Sequence, residues 1–411
     1  MMDTIQKIII ALVISAFVLV SCSNTQNSWP GYRGEHGNGV SDEVNWDPNK
    51  LDTNAIIWKK ELGKGHSGIV VEGKFCYSSG WHRVIENADT TETTTIYCLN
   101  NETGEEVWKF AYESEWINFP GPRSTPAISE DKIYNLGWQG DLHCLDANTG
   151  EVIWHRDVLA DSLGQLVIRS SGYCTSPVIY NNTLLLSLGK HGVAFDKNTG
   201  MVKWKSDKNA YTSTSPMLID YKTGKAALFR ADSTMYAISI EDGGLLWKYA
   251  IKSGERNVEP IATVDNKVFL GGEYVDFKEK PKLVWKNRSI APEFQTGVVI
   301  NGYVYQFSSQ RGNDHGLQCI DLSSGKVMWK EKMDRWGSLI AVGDKLVVLK
   351  GMGELAVVEA GSEKYKEISS CQALISKGRR AKMCWTSPTI CDGKIYIRNF
   401  GGQLACIDLS L

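Results

Sequence analysis

Along most of the chain apolar and polar residues alternate in short runs, a period of two that predicts half-buried β-strands. The runs stop at clusters of Gly, Asn, Asp and Thr, where tight turns join antiparallel neighbours. One unit recurs without slippage in residues 96–108, 142–154, 192–204, 235–247 and 317–329. An alternating stretch ends in a polar residue (Asn100, Asp146, Asp196, Ser239 or Asp321). A Gly follows four positions later, and a Trp four after that (Trp108, Trp154, Trp204, Trp247, Trp329). Such a unit is a β-hairpin, with a first strand, a turn whose Gly takes positive φ without steric cost, and a second strand carrying the Trp. Two more strands precede each hairpin, behind a lead such as Thr125-Pro126, Ser176-Pro177, Ser215-Pro216, Glu259-Pro260 or Ser387-Pro388. Four strands per unit, with about 45 residues per interval from Trp58 to Trp329, predict propeller blades.

Three copies are worn. Residues 282–285 keep the strand of Trp285 but lack the Asp-to-Gly turn before it. Residues 354–359 keep the first strand, with Tyr365 near the Trp place, and residues 403–408 keep the first strand alone. Near the start, residues 55–61 form a Trp strand (Trp58) with no partner. The last two halves complete one another, and their pairing leaves no open sheet edge. The expected fold is therefore all-β: an eight-bladed β-propeller of four-stranded antiparallel blades over residues 55–411, closed by an N-terminal strand. Residues 88–95, polar and rich in Thr, are expected to form a loop tip, and residues 367–382 a long basic connection.

The N-terminus adds an address. Lys7 precedes a thirteen-residue apolar run, residues 8–20. That is too short to span a bilayer, which takes about 20 residues, and fits a signal-peptide core. The run ends in Leu19-Val20-Ser21-Cys22, a pattern like a bacterial lipobox, so residues 1–21 are expected to be removed and Cys22 lipidated. Residues 22–54 then form a tether and lead-in. Lys plus Arg number 45 and Asp plus Glu 47, a balance without the basic surface that nucleic-acid binding needs.

The repeated unit resembles the PQQ-type propeller repeat, over nearly all of the chain beyond residue 55. Quinoprotein alcohol dehydrogenases carry this repeat. So do non-enzymatic exported lipoproteins, among them the propeller lipoprotein of the outer-membrane β-barrel assembly machine. The lead-in, from Trp29 through Arg33-Gly34 to Ser41, resembles that of exported bacterial PQQ-like proteins. The resemblance to the lipoproteins implies a monomeric periplasmic scaffold, anchored by lipid to the outer membrane of a Gram-negative bacterium and binding an envelope protein or a small anionic or carbohydrate-like ligand. The resemblance to the dehydrogenases implies PQQ and calcium as the alternative. Against it, the sequence has no adjacent Cys pair to cover a quinone, and no motif supports Glu259 and Asp232, the residues on offer as calcium ligand and base. No cofactor, metal or catalytic residue is expected.

Repetition once per blade makes Trp58, Trp108, Trp154, Trp204, Trp247, Trp285 and Trp329 wedges between sheets. Cys98, Cys144, Cys319 and Cys406 share one strand position with Ala194, Ala237 and Ala356, which means small and buried. A binding site is expected on the face carrying the second-to-third-strand loops and the blade-to-blade connections, opposite the Asn-Thr-Gly turns. Its candidate residues are Trp81, His82, Arg123, Trp138, Arg169, Lys190, His191, Arg230, Asp232, Glu259 and Arg311, with Trp116, Arg256, Trp336, Arg379 and Arg380 on connections. Their mixture of Arg, His and aromatic side chains suits an anionic ligand or a protein loop.

Overall fold

The computed structural model describes residues 28–86, 89–115, 120–164, 172–206, 213–222, 224–252, 259–263, 265–290, 292, 295–309, 315–375, 378 and 383–411. The signal-like segment, Cys22, Trp116, Arg169, Arg256, Arg311, Arg379 and Arg380 lie outside the described residues.

Eight antiparallel sheets follow one another along the chain as blades 1 (70–113), 2 (127–157), 3 (178–205), 4 (217–250), 5 (261–286), 6 (298–332), 7 (338–372) and 8 (389–408). Within each blade consecutive strands pair with their neighbours, as adjacent hairpins require. The first strands of neighbouring blades lie side by side: Val70–Glu72 touches Ala127–Ser129, and Ile261–Thr263 touches both Met217–Tyr221 and Val298–Ile300. The first strands therefore line a central channel, and the Trp-bearing fourth strands form the rim. Blade 8 takes its fourth strand from the other end of the chain. Ile56–Glu61 pairs antiparallel with Gln403–Asp408, setting Trp58 opposite Cys406. The array is an eight-bladed β-propeller.

Blade contacts repeat. Trp58, Trp108, Trp154, Trp204 and Trp285 each lie over the turn Gly of the next blade, and these five and Trp329 donate their indole N–H to a carbonyl of that blade. Trp58 bonds Asn101 at 3.1 Å, Trp108 bonds Ala147 at 2.9 Å, Trp154 bonds Lys197 at 3.0 Å, and Trp204 bonds Ile240 at 2.8 Å. Trp285 bonds Leu322 at 2.8 Å and Trp329 bonds Gly361 at 2.7 Å. The turn Gly is required twice over. Gly200 has φ +70°, and a Cβ there would stand 2.8 Å from the Trp154 ring. Trp247 is the exception: its N–H finds no partner, and its ring stacks on Phe277 at 5.6 Å. Blade 5 explains this, because Lys280 stands where a turn Gly would follow Asp276.

Blade 7 has no such Trp. Register places Ser370, opposite Ala356, where the other blades set Trp opposite Cys, Ala or, in blade 5, Tyr274, so Tyr365 is not the substitute. The next blade has no third-to-fourth-strand turn for an indole to cover, because that joint is where the two ends of the chain meet. Ser369 instead donates 2.5 Å to the carbonyl of Pro48 in the entering chain. The Thr-rich stretch after residue 88 is also ordered: Asp89–Asn100 pairs along its length with Phe75–Glu86 as a long hairpin arm.

The lead-in runs through the channel. Ser28–Trp29 pairs antiparallel with Val71 and Glu72, adding a strand to the inner edge of blade 1. The Ile128 amide then donates to the Pro30 carbonyl at 2.8 Å. Val40–Ser41 pairs parallel with Ala341 and Val342 on the inner edge of blade 7. First strands run from the loop face to the turn face. The lead-in therefore enters from the turn face, reverses near Arg33, and returns to the turn face, where Trp46 bridges Ser410.

Candidate functional site

Two groups of side chains sit on the propeller axis. The first is built by the residue two positions before the first strand in blades 2 to 6, where a hydroxyl or carboxylate of one blade accepts a backbone N–H from the blade before it. Gly68 N–H donates to Thr125 at 3.1 Å, Thr125 to Ser176 at 2.9 Å, and Ser176 to Ser215 at 3.0 Å. Ser215 donates to the Glu259 carboxylate at 3.4 Å, and Glu259 to the Thr296 hydroxyl at 3.0 Å. The Thr296 hydroxyl returns a hydrogen bond to Glu259. Arg33, 3% exposed at the tip of the lead-in, crosses to this hoop and donates to the carbonyls of Thr296 (3.0 Å), Gly297 (2.5 Å) and Asn38 (2.6 Å). Desolvation lowers the affinity of Arg33 for its proton, partly offset by Tyr32 and Glu259 beside it. Tyr32 shifts upward, first by burial and then by the Glu259 charge, so its phenol stays protonated. A cavity of about 560 Å³ remains on the other side of the channel, bounded by residues 30–37 and the first strands of blades 2 to 5.

The second group lies at the loop-face mouth, on residues two positions before the hoop. His66 stacks on Trp385 (5.1 Å between centroids, 14° between planes) and meets Phe400 at 5.0 Å. Trp385 continues to Trp336 at 6.1 Å, and Trp336 to His315 at 4.8 Å. Gln295 holds the platform by donating to the Trp385 carbonyl at 2.6 Å, and Thr386 donates to the His66 carbonyl at 3.1 Å. Burial, reinforced by Arg123 and Arg398, pushes the His66 pKa well below its ordinary value, so the ring is neutral, and its buried Nδ1 has no hydrogen-bond partner. Trp336 and Trp385 are half-buried. The patch offers aromatic faces, an imidazole nitrogen and the nearby Arg123, which is a surface for stacking a partner's side chain.

The candidates named from sequence are scattered. Trp81 and Trp138 are buried and converge on Ser114, Trp81 through its carbonyl (2.9 Å) and Trp138 through its hydroxyl (2.5 Å), which makes them supports beneath the loops. His82 accepts or donates at 2.7 Å with the Tyr97 hydroxyl. Lys190 and His191 both lie on the Tyr236 ring, at 5.7 Å. Arg230 is buried in blade 4, and Asp232 occupies an exposed turn. Arg123 reaches the Gly121 carbonyl at 2.8 Å beside the mouth, and Glu259 belongs to the hoop. His66, Trp385, Phe400 and Arg33 were missed. The register would have found His66 and Trp385, because both stand at the same offset from the repeated first-strand lead as Arg123.

A family model described as "Outer membrane protein assembly factor BamB" matches residues 92–331, more than half of the chain. The chain belongs to this family. Outer membrane protein assembly factor BamB of Yersinia pestis is 22% identical over 257 residues, which cover 56% of this chain and 63% of that protein. The crystal structure of BamB from Moraxella catarrhalis superimposes with a TM-score of 0.58 at 14% identity, over 86% of this chain and 97% of that one. Quinohemoprotein alcohol dehydrogenase of Comamonas testosteroni is 24% identical over 168 residues, 36% of this chain and 21% of that enzyme. The chain thus spans under two thirds of the Yersinia protein and about a fifth of the dehydrogenase.

The described residues do not fit a calcium-bound quinone. Among the described residues no three His, Cys, Asp or Glu side chains converge on one point. Glu259, the carboxylate on the axis, is already engaged by Ser215 and Thr296 and faces the Arg33 charge.

Proposed function

We propose that this BamB-family propeller is a scaffold of the bacterial cell envelope that holds another envelope protein against its loop face. In this reading residues 1–21 direct export, Cys22 carries the lipid, and the propeller works as a monomer in the periplasm at the outer membrane. The observation that carries the proposal is the stacked platform of His66, Trp385 and Trp336 at the mouth of a BamB-family ring. It presents half-buried aromatic faces and a neutral imidazole. Clustered half-buried aromatics next to Arg are the side chains that dominate protein–protein contacts. Membership of a family named for outer membrane protein assembly supports the choice of a protein as the occupant.

A photo-crosslinking amino acid at Trp336 or Trp385 in cells, followed by mass spectrometry, tests this. One recurrent envelope protein should be captured from these positions and not from Asn148 on the opposite face. Equal, non-specific capture from both faces would remove the proposal.

A further inference from the structure

We propose that the turn face of the propeller lies against the membrane and the loop face, with its aromatic mouth, points away from it into the aqueous compartment. This rests on the lipid anchor at Cys22 proposed above; what is added is the direction in which that anchor holds the ring.

Reach decides the orientation. Ser28 sits beside Glu72, at the turn-face end of the channel. Cys22 is six residues before Ser28, so the two are at most about 20 Å apart in a fully extended chain. To bring the lipid to the loop-face side from there, those residues would have to pass outward under a blade and then climb its rim. Four strands spaced at about 4.8 Å make the first leg roughly 15 Å or more, and a six-residue strand adds about 20 Å. The total of about 35 Å exceeds the reach by a wide margin. The shorter route, up the channel, is already taken on the blade 1 side by the lead-in itself. It is bonded there to Val71, Glu72 and Ile128, and farther along to Thr296, Gly297 and Ala341.

The chain's second passage reinforces the same geometry. After Ser41 the lead-in returns to the turn face and is fixed there, with Asp47 N–H donating to the Leu409 carbonyl at 2.7 Å. Both ends of the inserted hairpin are thus held at one face, and pulling on residue 28 loads the blade 1 edge rather than turning the ring over. The partner implied for the mouth is therefore one reached through water: a soluble domain or tail of an envelope protein, not its membrane-embedded part.

The test uses the full lipidated chain in vesicles of phosphatidylethanolamine and phosphatidylglycerol. Single fluorophores are placed through Asn148→Cys and Glu241→Cys on the turn face, and through Ala160→Cys and Ser233→Cys on the loop face, all exposed positions. Flotation with the vesicles reports the anchor, and quenching by a headgroup spin label reports the orientation. Both turn-face probes should be quenched several-fold more than both loop-face probes. Flotation with equal quenching, or with the loop-face probes quenched more, overturns the orientation and leaves the anchor standing. A chain that fails to float, and behaves like Cys22→Ala, overturns both.

Discussion

His143 and His155 face each other across one hairpin of blade 2, their rings stacked at 4.4 Å. His143 is buried beneath Phe110 and Tyr112, and burial, with a smaller contribution from His155, pushes its pKa down to about 3. The folded protein therefore keeps this ring neutral, while the unfolded chain takes up a proton as pH falls below about 6.5. Stability from this residue is complete above pH 6.5 and drains away toward pH 3, with a loss of about 2 kcal/mol by pH 5. Urea unfolding at pH 7 and pH 5 should show wild type losing about 2 kcal/mol more than His143→Phe. Equal losses would mean the ring is accessible to protons in the folded state. The sequence placed His143 on a strand but gave no sign of this burial, because Phe110 and Tyr112 reach it from the neighbouring blade. The cysteines were easier to read. Interchange with Ala announced a small buried site, and Cys98, Cys144, Cys319 and Cys406 are all buried free thiols.

At the scale of strands and turns, the Trp-on-Gly joint is the repeated bond of the ring, and its one irregular copy provides an internal control. Trp204→Phe removes the donor to the Ile240 carbonyl and leaves that group buried, at a cost of roughly 1–3 kcal/mol beyond lost packing. Trp247→Phe removes an N–H that already has no partner, so it should cost clearly less. Denaturant midpoints of the two variants compare them directly, and equal shifts would show that the indole hydrogen bond contributes nothing. These joints were legible because each is one strand–turn–strand unit in which Asp, Gly and Trp keep fixed spacing. The missing Trp of blade 7 was legible only as a worn copy. Its reason, the absence of a turn to dock against, needed the seam in three dimensions.

Across the whole molecule, the parts that sequence did not reveal join residues far apart in the chain. Arg33 meets Thr296 and Gly297, and Arg398 of blade 8 reaches the carbonyls of Ser67 and Ser79 in blade 1, at 3.1 Å and 2.7 Å. Neither Arg belongs to the repeat, so no periodicity points to it, and each is held by carbonyls or a hydroxyl rather than by a carboxylate. Desolvation lowers the Arg398 pKa to about 10, a sign of how closed that joint is. Arg33→Met should loosen the lead-in without opening the ring. The amides of Ile128 and Ala341, which bond Pro30 and Gly39, should exchange about tenfold faster or more, equivalent to ~1.4 kcal/mol. Unchanged exchange at both would show that strand pairing alone retains the lead-in.

The seam also fixes when folding can finish. Trp58 waits for Cys406, 348 residues later, so the earliest strand of the ring is the last to find its partner. Until Gln403–Asp408 has been made, Ile56–Glu61 has no sheet to join and the ring stays open with bare strand edges. A chain made from its head end therefore carries this unpaired strand for most of its synthesis, and a truncation that spares seven complete blades still forfeits the clasp.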